Sequence, residues 1–135
     1  IGANLYQDSE AIIDKLLYSA RPHTVVIGAG EPSVIVSSKR DISGRCEHLA
    51  IVSLEKITPD DTLSSFASDG IDNLSVSAGA IADQITKDKA KRLGLSIEQN
   101  IEENTIDKFF SQTKDRIIIG KTDSNVSDIM ILLRK

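Results

Sequence analysis

A single cysteine, Cys46, rules out any disulfide within the chain and points to the reducing cytoplasm as its compartment. With only two histidines beside it, His23 and His48, the usual ligand spacing of a zinc site is also missing. The three prolines are scattered, so no proline-rich linker divides the sequence, and there is neither a repeat nor a low-complexity tract. No apolar run approaches the ~20 residues that a membrane span requires, and no secretory or transit signal is recognisable. A basic stripe is missing as well. The net charge is -4, and the one cation-rich run, Lys87-Asp88-Lys89-Ala90-Lys91-Arg92, has the spacing of a solvated helix face. Nucleic acid is therefore excluded as a partner, since nothing would neutralise its phosphates. A small anionic substrate is not excluded, because one Arg or Lys at a loop can override the overall sign.

What is present fits one globular domain with a proper core: 135 residues, 40% of them apolar and 27% charged. Ser9 or Asp8 can cap a helix over about residues 10–19, with Ile12, Ile13, Leu16 and Leu17 on its inner face. Residues 24–27 and 33–36 read as short strands, with Gly28-Ala29-Gly30 as a tight connection between them. Ser43-Gly44 opens a helix to about residue 56, and residues 62–67 form a further strand. Residues 75–83, rich in small side chains, are expected to form a helix packed closely on a sheet. Thr86 is expected to cap a helix that stops at Gly94, followed by short helices over 96–99 and 105–110. Residues 116–119 and 129–133 are the last strands. This alternation predicts an α/β protein, a layered α/β/α sandwich around a mixed β-sheet. Ile1 is not a translation start, and Ile1-Gly2-Ala3-Asn4 reads as a strand end entering a helix. The chain is expected to be the C-terminal part of a longer polypeptide.

Two polar loops carry the functional signal. Ser68-Asp69-Gly70-Ile71-Asp72-Asn73 follows the apolar run 63–67, and Gly120-Lys121-Thr122-Asp123-Ser124-Asn125-Val126-Ser127-Asp128 follows 116–119. Loops leaving strand ends are where α/β proteins hold small polar ligands. Gly70 and Gly120 allow the backbone to approach closely. Gly28-Ala29-Gly30-Glu31 fails as a dinucleotide fingerprint, lacking a third glycine and running into Pro32 and a strand where a helix should begin. Glu31 fits plain exposure or a site role equally. Ser43-Gly44-Arg45 at a helix start suits an anion through free amides, helix dipole and a forked guanidinium, though a plain surface arginine fits too. Cys46 and His48, two apart on a helix, point to different faces and form no nucleophile–base pair. Residues 123–128 lack the glycine and closing glutamate of a calcium loop. No dedicated metal-ligand set is read; Asp69 and Asp72 are carboxylates able to assist a Mg²⁺ held mainly by water and phosphate.

The order of motifs adds a resemblance. Gly28-Ala29-Gly30-Glu31-Pro32-Ser33-Val34 followed by Ser43-Gly44-Arg45-Cys46-Glu47-His48-Leu49-Ala50 resembles Gly-Gly-Glu-x-Thr-Val followed by Gly-Gly-Arg-Asn-Gln-Glu-Leu-Ala. The first loop and Ser77-Ala78-Gly79-Ala80 resemble Thr-Asp-Gly-Thr-Asp-Gly and Ala-Ala-Gly-Ala. The second loop resembles Gly-Pro-Thr-Gly-Thr-Asn-Val-Asn-Asp, and Ile1-Gly2-Ala3-Asn4-Leu5 fits a Gly-Asp-Asn-Leu opening. Together these signatures resemble the C-terminal domain of the glycerate 2-kinase family, the MOFRL-type kinases often labelled hydroxypyruvate reductase by homology.

The resemblance implies that residues 1–135 are one C-terminal domain, partnered by a larger N-terminal domain of the same polypeptide across an active-site cleft. It implies transfer of the γ-phosphoryl of ATP to the 2-hydroxyl of D-glycerate, with Mg²⁺. On that reading Arg45 binds the glycerate carboxylate or the transferred phosphoryl group, and Glu31 orients the substrate hydroxyl or holds Arg45. Gly30, Gly44, Asp69, Asp72, Thr122, Ser124 and Asn125 would line the substrate or phosphate site. A homodimer stays open. The chain departs from the pattern at Ala29, Ser43, Cys46-Glu47-His48, Asn73-Leu74-Ser75-Val76, Lys121 and Asp123. These departures keep a rival in view, a non-catalytic small-anion-binding or regulatory domain of the same fold, beside an interaction domain whose loops merely turn.

Overall fold

The computed structural model describes residues 7–34 and 43–135. The opening motif over residues 1–6 and most of the expected strand 33–36 therefore lie outside the described residues. Asp8 starts the fold: its carboxylate accepts the Ala11 amide at 2.8 Å and caps helix α1 (Ser9–Ser19), which buries Ile12, Ile13 and Leu16. Strand β1 (Thr24–Gly30) follows, then helix α2 (Arg45–Ser53), strand β2 (Asp61–Ala67) and strand β3 (Gly79–Ala82). Helices α3 (Gln84–Leu93), α4 (Ile97–Glu102) and α5 (Ile106–Thr113) lead to strands β4 (Arg116–Ile117) and β5 (Asp128–Arg134).

The α/β class stands, with two corrections of detail. The sheet order is β1-β5-β2-β3-β4 and every pairing in it is antiparallel, not mixed. The β1–α2–β2 unit does run its two strands in one direction, as helix–strand alternation predicts. The last strand, β5, inserts between them and pairs antiparallel with both. The second correction concerns layers. Along β2 the buried positions are Asp61, Leu63, Ser65 and Ala67, and their partners Met130 and Leu132 on β5 are buried with them. These join Leu49 and Ala50 of α2, Ile12 of α1 and Phe109 of α5 in one core. The other face carries Val25, Ile27, Ile81 and Leu133, all exposed. Among the described residues the helices thus cover one face only, giving two layers rather than three.

Three local readings also change. Gly28 and Gly30 belong to β1 itself, because the pairing with β5 continues to Gly30 opposite Asp128. Residues 79–82 form a strand rather than a helix. Their small side chains alternate, with Ala80 and Ala82 buried and Ile81 exposed, and pairing with β2 and β4 overrides the helix preference of alanine. Helix α3 is capped by Asp83, whose carboxylate accepts the Thr86 amide at 2.8 Å; its stop at Gly94 is as expected.

At one end of the sheet Arg134 forks onto the buried Asp61, Nε to Oδ1 at 2.7 Å and Nη2 to Oδ2 at 3.1 Å. Burial would raise the Asp61 carboxyl, but the bonds from Arg134 and Thr58 hold it below the usual carboxylate range. The opposite end, where Gly30, Asp128 and Ala67 share one rung, holds the polar loops. Among the described residues no helix is long and apolar enough to cross a membrane.

Candidate functional site

Three strand ends converge on that rung. The chain leaving β1 carries Glu31, the chain leaving β2 is the first polar loop, and the second polar loop delivers Asp128 as the first residue of β5. The two loops are fastened to each other. The Thr122 amide donates to the Asp69 carbonyl at 2.8 Å, the Thr122 hydroxyl to the Ser68 carbonyl at 2.6 Å, and the Val126 amide to the Ser68 hydroxyl at 2.9 Å. Gly70, with φ +87°, lies so close to the second loop that a Cβ on it would stand 1.9 Å from the Gly120 carbonyl oxygen.

Helix α2 begins beside the rung, and its start is closed rather than open. Gly44, its N-cap residue, supplies no side-chain cap. Asp72 reaches in from the first loop instead: Oδ1 accepts the Cys46 amide at 3.2 Å and Oδ2 the Glu47 amide at 2.8 Å. A Cβ on Gly44 would fall 1.9 Å from Asp72 Oδ1, so this glycine admits the aspartate. The anion cradle expected at Ser43-Gly44-Arg45 is therefore filled by the chain's own carboxylate. Burial raises the Asp72 carboxyl to about 6, against the pull of the two amides. From the same loop the Asn73 amide group donates to the Ser43 carbonyl at 3.1 Å.

Arg45 is held by two carboxylates. Its Nε lies 3.1 Å from Asp128 Oδ2 and its Nη1 lies 3.3 Å from Glu31 Oε2. Burial would lower the guanidinium pKa; Asp128 and then Glu31 outweigh that and raise it, so the charge is secure. Burial also raises the Asp128 carboxyl, with Arg45 opposing and Glu31 adding. Beside this group opens a cavity of about 460 Å³. Glu31, Gly44, Arg45, Asp69, Asp72 and Asn125, all read from the sequence, line it. Gly30, Thr122 and Ser124 do not. Gly30 ends β1 opposite Asp128, Thr122 fastens the loops, and the Ser124 amide donates to the Thr122 hydroxyl at 3.2 Å.

Sequence reasoning missed Asp128, His48 and Asn104, which also line the cavity. Asp128 closed the second motif and carried a readable signal. Asn104, at φ +53° between α4 and α5, belongs to no motif. The His48 ring lies 3.0 Å from the Ser9 hydroxyl. Of the Cys46-Glu47-His48 departure only His48 faces the cavity; Cys46 and Glu47 are buried beneath it.

Glu47 is the most heavily buried acid near the site. Its Oε1 accepts the Ser77 hydroxyl at 2.6 Å, Oε2 has no hydrogen-bond partner, and Arg116, 3.9 Å away, is committed to Asp107. Burial raises its carboxyl to about 7, with Ser77 opposing and Asp72 and Asp107 adding. The folded state thus keeps this proton up to about pH 7, whereas the unfolded state releases it near 4.5, so stability falls as pH rises across that window. The raised Asp72 acts in the same direction. Glu47→Gln keeps the acceptor for Ser77 and removes the ionisation. It is expected to raise the melting temperature by several degrees at about pH 8 and to flatten the decline below it. Thermal melts across pH check this, and an unchanged slope would remove Glu47 as its source.

Among the described residues no group of three or more His, Cys, Asp or Glu side chains is placed to hold a metal ion. Both Asp72 oxygens are engaged by α2, and Asp69 accepts the Ile71 amide on Oδ1 at 3.0 Å, which makes Asp69 the less engaged of the two carboxylates for a Mg²⁺ bound mainly by water and phosphate.

Comparison with known proteins gives a consistent picture. A family model described as the MOFRL family matches residues 24–128. The glycerate 2-kinase of Pyrococcus horikoshii is 26% identical over 113 residues, covering 83% of this chain and 26% of that protein. The glycerate kinase of Danio rerio is 32% identical over 118 residues, covering 82% of this chain and 23% of that protein. The crystal structure of a glycerate kinase (EC 2.7.1.31) from Thermotoga maritima superimposes at TM-score 0.79 and 25% identity, over all of this chain and 36% of that one. A Pyrococcus horikoshii crystal structure superimposes at TM-score 0.86 and 22% identity, over 98% of this chain and 33% of that one, a likeness of fold. The chain spans about a quarter of the length of the two relatives.

Proposed function

The chain belongs to the MOFRL family, and from that premise we propose that it forms one wall of a glycerate kinase active site. The reaction is phosphorylation of the 2-hydroxyl of D-glycerate by ATP, and the remainder of the site lies outside this chain. The observation that carries the reading is Arg45, a secured positive charge held by Asp128 and Glu31 at a cavity of about 460 Å³. Phosphoryl transfer requires positioning and charge stabilisation more than covalent chemistry, and a guanidinium supplies both. Arg45 binds the glycerate carboxylate, and Asp69 and Asn125 border the same cavity for the hydroxyl groups.

Charge limits what this wall can hold. Glu31, Asp69, Asp72 and Asp128 face the cavity beside Arg45, so a small monoanion suits it better than a polyphosphate. The start of α2, capped by Asp72, does not cradle the phosphates of ATP. ATP is the proposed donor, and Mg²⁺ when bound would offset the charge on its phosphates. The cytoplasm remains the proposed compartment. Phosphorus NMR of the products formed by the native-length protein from ATP, Mg²⁺ and D-glycerate tests the reading. A 2-phosphoglycerate signal is expected. Absence of any phosphorylated product, with D-glycerate still bound, would instead establish the non-catalytic anion-binding rival.

A further inference from the structure

The two carboxylates on Arg45 differ in everything except charge. Asp128 is a strand residue paired in register with Gly30 on one side and Ala67 on the other, and its side chain is 6% exposed. It cannot follow a moving ligand, and on leaving the guanidinium it would lose its counter-charge without regaining water. Glu31 lies just beyond the end of β1 with a side chain 49% exposed, and it meets Arg45 at the longer distance of 3.3 Å. Released from Arg45, it returns to water at little cost.

We propose that Asp128 is the permanent counter-ion of Arg45 and Glu31 an exchangeable one, which the carboxylate of the substrate displaces on binding. The inference rests on the glycerate kinase reading and adds how the site admits its anion. Arg45 presents five N–H donors; one donates to Glu31 at 3.3 Å, while the buried Asp128 carboxylate pairs with the guanidinium by charge at 3.1 Å, its Oδ2 accepting no hydrogen bond. A substrate carboxylate that takes the Glu31 position leaves Arg45 with two anionic partners, as before. The exchange is like for like, and Asp128 keeps the guanidinium aimed throughout. Asp72, the third acid near Arg45, takes no part because its oxygens are engaged by α2. Asp128 is on this view a positioning residue acting through Arg45, and Glu31 a competitor of the substrate.

Two variants with the same change of charge should therefore act in opposite directions. Glu31→Gln is expected to lower KM for D-glycerate roughly two- to fivefold at low salt, the scale of one exposed ion pair, with the gain shrinking as salt is added. Asp128→Asn is expected to raise KM about tenfold or more, and to have little further effect once Arg45 is alanine. A general electrostatic or structural role would move both variants the same way. The experiment is a KM series with wild type, Glu31→Gln, Asp128→Asn and the Arg45→Ala double variants, in the native-length protein. Calorimetric binding of D-glycerate to the same proteins accompanies it. Opposite shifts support the exchange; an unchanged or raised KM in Glu31→Gln overturns it. If Asp128→Asn does not fold, the dependence of the Glu31→Gln gain on Arg45 decides: under exchange the gain disappears in the Arg45→Ala background, and a gain that persists there overturns the exchange. Absence of wild-type turnover would count against the kinase reading, and the calorimetric affinities would still decide the exchange.

Discussion

Arg45→Ala is expected to lower kcat/KM for D-glycerate by about 10²-fold or more. A forked donor that anchors the substrate carboxylate also fixes where the 2-hydroxyl sits, and loss of such an anchor costs on the order of 3 kcal/mol in kcat/KM. Arg45 is placed for that role by neighbours that do not depend on the substrate: Asp128 on the sheet and the start of α2. Arg45→Lys separates charge from geometry. It keeps the positive charge but loses the planar fork, so an intermediate loss is expected. Steady-state kinetics on the three proteins, with melts to confirm folding, check the expectation. A near-wild-type kcat/KM in the folded alanine variant would remove Arg45 from the reaction.

The second large effect concerns the closed start of α2. Asp72→Ala leaves the Cys46 and Glu47 amides without their acceptor in a buried setting, at a cost of about 2–4 kcal/mol and a melting temperature lower by on the order of 10 °C. Asp72→Asn retains one acceptor and is expected to lose roughly half as much. Gly44→Ala attacks the same contact from the other side. Its Cβ would stand 1.9 Å from Asp72 Oδ1 and 2.8 Å from the Asp72 carbonyl carbon, so the loop backbone must move and a loss of about 3 kcal/mol is expected. Because part of that clash is with backbone, Asp72→Ala relieves it only in part, and the double variant should lose less than the sum of the two. Urea and thermal unfolding measure the four variants beside wild type. A Gly44→Ala variant melting within a degree or two of wild type would show that α2 does not need this approach.

Much of this arrangement is legible from the residues, and the misses share a cause. Helices α1, α3, α4 and α5 lie near where local signals place them; Asp8, Asp83 and Ser96 cap the first three through their side chains, whereas α5 starts at Thr105 without a side-chain cap. Placement next to strand runs points to the two polar loops that carry Asp69 and Asn125, whereas the gathering of Glu31 and Arg45 with them at one site is what the family resemblance implies. What sequence cannot supply is pairing between distant segments. The insertion of β5 between β1 and β2 turns an expected mixed sheet antiparallel, and pairing of residues 79–82 with β2 and β4 turns an expected helix into a strand. The same limit hides Asp72 as the cap of α2, 25 residues from the Glu47 amide that it accepts, and Asp128 as the partner of Arg45. Both aspartates stood in the polar loops as candidate ligand groups or motif ends. Only the folded chain shows them serving other residues.

ADP release by the native-length protein with ATP, Mg²⁺ and D-glycerate, beside its Arg45→Ala variant, tests the proposed site most directly. Robust D-glycerate-dependent turnover that falls by about two orders of magnitude in the folded variant is the predicted result. Turnover that survives the loss of Arg45 would contradict the placement of the site, and absence of turnover in the wild type would contradict the kinase itself.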